Sequence, residues 1–339
     1  MTPSVRAGTL TTMSTRGLVV PVAMVASLGL AACGGSAAEG DGGSGSQAIT
    51  LYTCVSDTMI ASVIEAFEAA HEGSSVELYR APTGDLNARV AGDVRAGGLK
   101  ADVVWTCDPL TMADYTDQEL VGGWVPETEI SEELRTEDYV GAQMLYMLAV
   151  SREGVDPPQT WSDLAGETYD GVAVPDPAFA ASALGTLGFF ADAPDYGMDF
   201  YADLKRAGAT QVSTPDEVVT GVAEGVYDAG ITIANSAYAA QGDGAPIEIV
   251  WPEPGAVAIY GPVALARHAD DNEVAKDFVS FVTSREGQTV VAEAGSYPAL
   301  DGVDGPTIAE GASFVQPDWA SLGTQNDDLL AEYQRIFGG

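Results

Sequence analysis

Basic side chains are scarce in this sequence of 339 residues. It contains 14 Lys and Arg against 50 Asp and Glu, only two His, and carries a formal net charge of −36. Nucleic acids and anionic membrane surfaces are bound by basic protein surfaces. The charge balance therefore argues against both as partners and is typical of a soluble exported protein.

The common sequence motifs of enzyme active sites are also missing. The chain has no Gly-x-Ser-x-Gly elbow, no His-Glu-x-x-His pair and no phosphate-binding Gly-x-x-x-x-Gly-Lys loop. His71 and His268 fall at a predicted helix end and in a polar loop, which are poor positions for a general base or a metal ligand. We expect a protein that has no enzymatic activity and needs no cofactor.

Long hydrophobic runs are rare, and the one near the N-terminus is too short to span a membrane. It covers residues 18–30, follows Arg6 and Arg16, and has no acidic residue before it. A spanning helix needs roughly 20 apolar residues. A basic start followed by a short apolar run predicts a secretory signal peptide, which we place at residues 1–32.

The residues at the end of this run are Leu30-Ala31-Ala32-Cys33, which looks like a bacterial lipobox. Cys33 is then the lipid-modified first residue of the mature protein. Residues 33–46 are rich in Gly and Ser, a composition that predicts a flexible tether. We expect an extracytoplasmic protein that is anchored to the outer face of the cell membrane by the lipid on Cys33.

Cysteine is limited to three residues, and two remain once Cys33 is assigned to the lipid. Cys54 and Cys107 form an even pair in an oxidising compartment. Each follows a predicted strand, and the carboxyl ends of neighbouring parallel strands are close enough for a bridge. The sequence thus favours a disulfide between Cys54 and Cys107, with two free thiols as the alternative.

Alternating strand and helix patterns predict an α/β fold of two lobes. Apolar runs at 141–151 and 256–266 are predicted to cross between the lobes. Lobe 1 is placed at 47–143 plus 258–339, and lobe 2 at 144–257. Each lobe is expected to hold a parallel-type sheet flanked by helices.

The predicted elements follow in chain order. Strands are expected at 49–53, 75–80, 101–106, 171–175, 229–235 and 247–250. Helices are expected to begin near Ser56, Pro82 and Asp108, and to cover 178–190, 199–206, 215–225, 272–283, 284–294 and 327–336. Ligands of open α/β sheets lie beyond the carboxyl ends of the strands. The segments expected to form the site are therefore 54–57, 81–85, 107–109, 176–182 and 235–238.

Several of these segments resemble the extracellular solute-binding proteins of bacterial ABC importers. The resemblance lies in Ile49-Thr50-Leu51-Tyr52 with its helix, in GDLNARV at 84–90, in ADVVW at 101–105, in PQTWSDL at 158–164 and in the helix pair at 275–288. The branch it is most similar to takes up ferric iron, phosphonates, sugar phosphates and thiamine. The resemblance implies a monomeric two-lobed clamp, like the periplasmic binding proteins, that delivers a small solute or ion to a membrane permease.

The nature of the ligand is less defined by the sequence. Helix starts with hydroxyl side chains suit an anion such as a phosphonate or phosphate ester. The predicted ligand-binding residues are Ser56, Asp57, Thr58, Thr83, Gly84, Asp108, Ser182 and Tyr238.

Ferric iron is the alternative ligand, and Tyr238, Asp57 and Asp108 would then be its ligands. The chain departs from the iron-binding members, since no His follows its first strand and only one tyrosine stands at 235–238. A ligand-binding partner of a membrane sensor is the alternative class of function.

Overall fold

The structure, a computed structural model, describes residues 47–338. The predicted signal peptide, the lipidated Cys33 and the tether lie outside the described residues. Among the described helices, none combines the length and the apolar character needed to cross a bilayer.

The described chain contains ten strands and ten α-helices. The strands are β1 Gln47–Thr53, β2 Ser74–Arg80, β3 Val103–Trp105, β4 Val140–Arg152, β5 Val172–Pro175, β6 Thr210–Val212, β7 Ala229–Ile233, β8 Ile247–Val250, β9 Ala256–Leu265 and β10 Phe314–Val315. The helices are α1 Asp57–Ala70, α2 Thr83–Arg95, α3 Pro109–Asp117, α4 Ala181–Asp192, α5 Asp199–Arg206, α6 Pro215–Ala223, α7 Ala234–Gly242, α8 Glu273–Val282, α9 Arg285–Glu293 and α10 Trp319–Phe337.

All ten strands belong to one mixed sheet. Its main order is β2-β1-β3-β9-β4-β7-β5-β6, with β10 beside β9 and β8 beside β4. The strands β1, β2 and β3 are parallel at one end, and β5, β6 and β7 are parallel at the other. The α/β fold of two lobes is confirmed, and the antiparallel pairs come from the two strands that link the lobes.

Those linking strands are β4 and β9, which pair with each other along the middle of the sheet. Their register runs from Val140 opposite Val263 to Met147 opposite Val257. Beyond this ladder, β9 pairs with β3 and β4 pairs with β7 and β8. The predicted crossings at 141–151 and 256–266 are therefore these two strands, and their almost continuous burial explains why both runs are apolar.

Each lobe has its own hydrophobic core. Lobe 1 is built around Phe67, Trp105 and Phe278, all fully buried. Lobe 2 has helices on both faces of its part of the sheet, because one cluster joins α4, α5 and α10 and another joins α6 and α7. The cores are separate, so the lobes are connected mainly through β4 and β9.

The lobe boundaries stay a prediction, and we propose one change to them, which concerns helix α10. Residues 258–339 were all assigned to lobe 1, yet Leu322, Leu329 and Tyr333 of α10 are buried in the lobe 2 cluster beside α4 and α5. We therefore propose that residues 319–337 move with lobe 2.

Two helices begin at places that differ from the sequence-based expectation, and a third was not predicted. Helix α4 starts at Ala181 and not at 178, because the Asp176 carboxylate accepts a bond from the Ala178 N–H and holds a turn there. Helix α10 starts at Trp319 and not at 327, because the Asp318 carboxylate caps it. Helix α7 was not predicted at all, and the strand expected to run to residue 235 ends at Ile233.

The docking of α10 on α4 depends on a glycine, Gly188, at the point where the two helices touch. A Cβ atom placed on Gly188 of α4 would lie 2.7 Å from Leu322 Cδ2, and Leu322 is fully buried. We predict that Gly188→Ala lowers the free energy of unfolding by about 1–2 kcal/mol, since overpacking outweighs the better helix propensity of Ala. Urea unfolding measures the change.

The matched control is Gly242→Ala at the end of α7, where no atom lies within 4 Å of the new Cβ. This variant should gain about 0.5–1 kcal/mol from reduced chain entropy in the unfolded state. Equal changes in the two variants would show that α10 does not press on Gly188.

Candidate functional site

A cavity of about 200 Å³ lies between the lobes at the carboxyl ends of the strands. All five segments predicted from the sequence contribute to its walls, among them Val55, Pro82, Cys107, Ala180 and Asn235. The walls also include the end of β2, the middle of β4 and the start of α6, which were not predicted. We call this cavity the cleft pocket.

Five helices begin in the walls of the cleft pocket: α1, α2, α4, α6 and α7. Helix starts carry a partial positive charge and N–H groups without an intrahelical partner. Two of these starts are capped by a side chain, α1 by Ser56 and α6 by Thr214. The starts of α2, α4 and α7 have no side-chain cap, so N–H groups there are available to a ligand, apart from that of Gly84 in α2, which donates to the Phe179 carbonyl.

Arg80 brings a positive charge to the lobe 1 side of the cleft pocket. Its Nε donates to the Val55 carbonyl at 2.9 Å and lies 3.6 Å from the Asp57 carboxylate. Asp57 is 79% exposed, so water weakens this ion pair. The two terminal nitrogens of Arg80 make no bond to any residue between 47 and 338, and they can reach a ligand.

The lobe 2 side carries hydrogen-bond acceptors, a carboxylate and an amide oxygen. Asp216, in the first turn of α6, accepts a 2.5 Å bond from the hydroxyl of Ser236 in the first turn of α7. Asn235 Oδ1 is buried and has no hydrogen-bond partner within the described chain. Gln143 lies on the linking strand β4, in the part that was assigned to lobe 1. It is 2% exposed, and its Nε2 is a hydrogen-bond donor without a partner within the described chain.

A disulfide between Cys54 and Cys107 forms part of the same wall. The two Cα atoms are 6.0 Å apart, at the ends of the neighbouring parallel strands β1 and β3. Each half-cystine begins a loop that leads to a helix, α1 or α3. The bond therefore fixes two loops of lobe 1 where they meet the cleft pocket.

Three of the residues predicted to bind a ligand line the cleft pocket. They are Ser56, which caps α1, Thr83, the first residue of α2, and Ser182 in the first turn of α4. Thr83 and Ser182 are buried. Each stands at a helix start, as the sequence pattern led us to expect.

Three more predicted residues lie near the cleft pocket but not in its walls. Asp57 faces Arg80, and Thr58 is exposed on the first turn of α1. The Gly84 N–H donates to the carbonyl of Phe179 at 3.3 Å, across the cleft. This bond joins the lobes directly, so the N–H that the sequence suggested for a ligand is used by the protein itself.

Asp108 and Tyr238 have other surroundings. Asp108 is fully buried and caps α3 by accepting from the Thr111 N–H at 2.8 Å, and this burial raises the pKa of its carboxyl. Tyr238 accepts a 3.1 Å bond from Trp251 Nε1, away from the cleft pocket.

The three residues expected to hold iron are thus not brought together. Asp57 belongs to an exposed ion pair, and Asp108 is a buried helix cap. Tyr238 is bonded to the Trp251 indole. Within residues 47–338, no three His, Cys, Asp or Glu side chains lie close enough to hold a metal ion.

Sequence reasoning missed Arg80, Gln143 and Asp216. Arg80 is the last residue of β2, one position before the segment that was expected to form the site. Asp216 stands in a Thr-Pro-Asp-Glu sequence that predicts only a helix start. Gln143 carries the one available signal, since an uncharged amide inside an otherwise apolar strand needs a partner.

Comparisons with known proteins agree with this architecture. A model of the family of bacterial extracellular solute-binding proteins matches residues 49–296. No curated protein matches the sequence significantly.

Similar solved structures include the periplasmic binding protein AfuA of Actinobacillus pleuropneumoniae with bound fructose-6-phosphate. Its TM-score is 0.77 at 16% identity, over 86% of this chain and 99% of that one. Iron-bound HitA of Pseudomonas aeruginosa has a TM-score of 0.72 at 16% identity, over 86% and 99%. A periplasmic thiamin-binding protein has a TM-score of 0.72 at 19% identity, over 85% and 96%. At these identities the likeness shows the fold.

The disulfide gives a testable contribution to stability. Cys54 and Cys107 are 53 residues apart. Closing a loop of this length lowers the conformational entropy of the unfolded chain, which stabilises the folded state by about 4 kcal/mol. We predict that the double variant Cys54→Ser/Cys107→Ser unfolds at a lower urea concentration by that order of free energy. A reductant should destabilise the unaltered protein and leave the double variant unchanged, and equal sensitivity of both would contradict the bond.

Proposed function

Because the chain belongs to the family of bacterial extracellular solute-binding proteins, we propose that its cleft pocket captures a small organic anion, such as a phosphonate or phosphate ester, for delivery to an ABC permease. The observation that carries this proposal is the position of Arg80 among helix starts without side-chain caps. The ligand group that suits these donors is an oxyanion.

The donors come from both lobes. Arg80 and the start of α2 belong to lobe 1, whereas the start of α4 belongs to lobe 2. Backbone N–H groups at a helix start bind phosphate-like groups without any basic side chain. A guanidinium group adds charge-assisted bonds that are about twice as strong as neutral ones. One anionic group can therefore contact both lobes, which favours the closed arrangement of the clamp.

The remaining walls suit an organic ligand better than inorganic phosphate. Leu145, Phe179 and Ile233 are apolar and face the same space as Arg80. Bare phosphate would leave these side chains against water, whereas a carbon-containing group would cover them. The volume of about 200 Å³ lies below the usual range of drug-sized sites and so favours a small molecule.

Iron is the weaker candidate. The residues that the sequence suggested for it lie apart, and within residues 47–338 no three His, Cys, Asp or Glu side chains come close enough to hold the ion. The neighbour with bound fructose-6-phosphate is consistent with an organic phosphate, while the iron-bound neighbour keeps iron among the ligands to be tested.

A thermal-shift screen tests the proposal. The compounds are phosphonates, sugar phosphates, inorganic phosphate, ferric citrate and thiamine. A ligand at 100 times its dissociation constant adds about 2.7 kcal/mol to the folded state. We expect a phosphonate or phosphate ester to raise the melting temperature most. Arg80→Gln should weaken that ligand about 10- to 100-fold, since it removes charge-assisted bonds.

The control is Arg95→Gln, which removes an equal charge at the far end of α2, outside the cleft pocket. It should leave ligand affinity unchanged. A shift with ferric citrate alone, or equal losses in the two variants, would overturn the organic-anion proposal.

A further inference from the structure

Opposite charges face each other across the cleft pocket. Arg80 stands on the lobe 1 side, and the Asp216 carboxylate stands on the lobe 2 side. Asp216 forms no ion pair with any Lys, Arg or His of residues 47–338. Asp216 is exposed to water, and its carboxylate offers a place for a positive charge of the ligand.

Asp216 is held in place by the start of a neighbouring helix. Its Oδ1 accepts the 2.5 Å bond from the Ser236 hydroxyl, so the carboxylate lies at the starts of both α6 and α7. The positive ends of these two helix dipoles thus already face an anion that belongs to the protein. The ligand's own anionic group is left with Arg80 and the starts of α2 and α4.

A second acceptor lies beside the carboxylate. Asn235 immediately precedes Ser236 and lines the same cavity, and its buried Oδ1 has no donor within the described chain. A buried acceptor without a partner is costly, and this cost is recovered when a ligand supplies the donor. An ammonium group supplies three N–H donors. It also supplies the positive charge with which the Asp216 carboxylate can form an ion pair.

We infer that the ligand is a zwitterion, whose anionic group binds Arg80 and the starts of α2 and α4, and whose ammonium group binds Asp216 and Asn235. This inference rests on the proposed function, because it assumes that an organic anion occupies the cleft pocket. It adds a selection rule. A ligand with both charges contacts each lobe through a group of the right sign, whereas the same molecule without its amine leaves Asp216 unpaired.

A matched pair of compounds tests the rule: 2-aminoethylphosphonate and ethylphosphonate, which differ only in the amine. We expect the purified protein to bind the amino compound at least tenfold more tightly in isothermal titration calorimetry. Asp216→Asn should abolish this preference by weakening the amino compound and not ethylphosphonate. Asp243→Asn, an equal change at the exposed end of α7 outside the cleft pocket, should keep the preference. Circular dichroism shows whether the variants are folded.

The outcomes separate the two proposals. Equal binding of both compounds by the unaltered protein would overturn the zwitterion inference and leave the organic-anion function standing. A preference that survives in folded Asp216→Asn would also overturn the inference. Binding of neither phosphonate would overturn the zwitterion inference, and the organic-anion function would fall with it only if no organic anion of the thermal-shift screen is bound. Arg80→Gln should weaken both compounds, since Arg80 contacts the phosphonate group that they share.

Discussion

The backbone ladder between β4 and β9 is the constraint on which the rest of the molecule depends. It places the two parallel groups of strands in one sheet. The chain of β4 and β9 and the hydrogen bonds between them form the main link between two separate hydrophobic cores. Because the strands of both lobes end toward the same gap, the helices that follow them also begin there. The concentration of helix starts around the cleft pocket thus follows from topology.

The ladder also explains why a polar residue is found in the middle of the molecule. Its register shifts between Gly141 and Gln143, and Gln143 then faces the cleft pocket. On the next strand, Gly261 leaves the space that this amide occupies, since a Cβ atom there would lie 2.9 Å from Gln143 Nε2. A bulge in one strand and a missing side chain in the other admit a hydrogen-bonding group into a core that is otherwise apolar.

The fold could be read from the sequence to a large extent, because its signals are local. Apolar runs and capping residues identified eight of the ten described strands, all except the short β6 and β10. They also identified most helices, including 199–206, which the structure reproduces as α5. The start of α7 could not be read this way, since Ala234 follows a buried strand without any capping side chain. The start of α10 was missed because its apolar periodicity becomes regular only after Gly323.

The site was harder to derive, because its side chains come from distant parts of the chain. The rule that ligands lie beyond strand ends located the walls, but it does not say which polar groups point inward. Asp108 and Tyr238 satisfy the rule and point elsewhere, toward the Thr111 N–H and the Trp251 indole. Asp216 and Arg80 belong to a helix start and a strand end that were read as structural.

The bond between the Gly84 N–H and the Phe179 carbonyl has a consequence for solute selection. It joins the lobes through backbone atoms, and a Cβ atom on residue 84 would lie 3.1 Å from the Ala178 carbonyl. This contact includes no ligand atom, so it stabilises the approach of the two lobes equally for every solute. Differences in affinity between solutes then arise from the side chains of the cleft pocket and from the helix N–H groups that remain free.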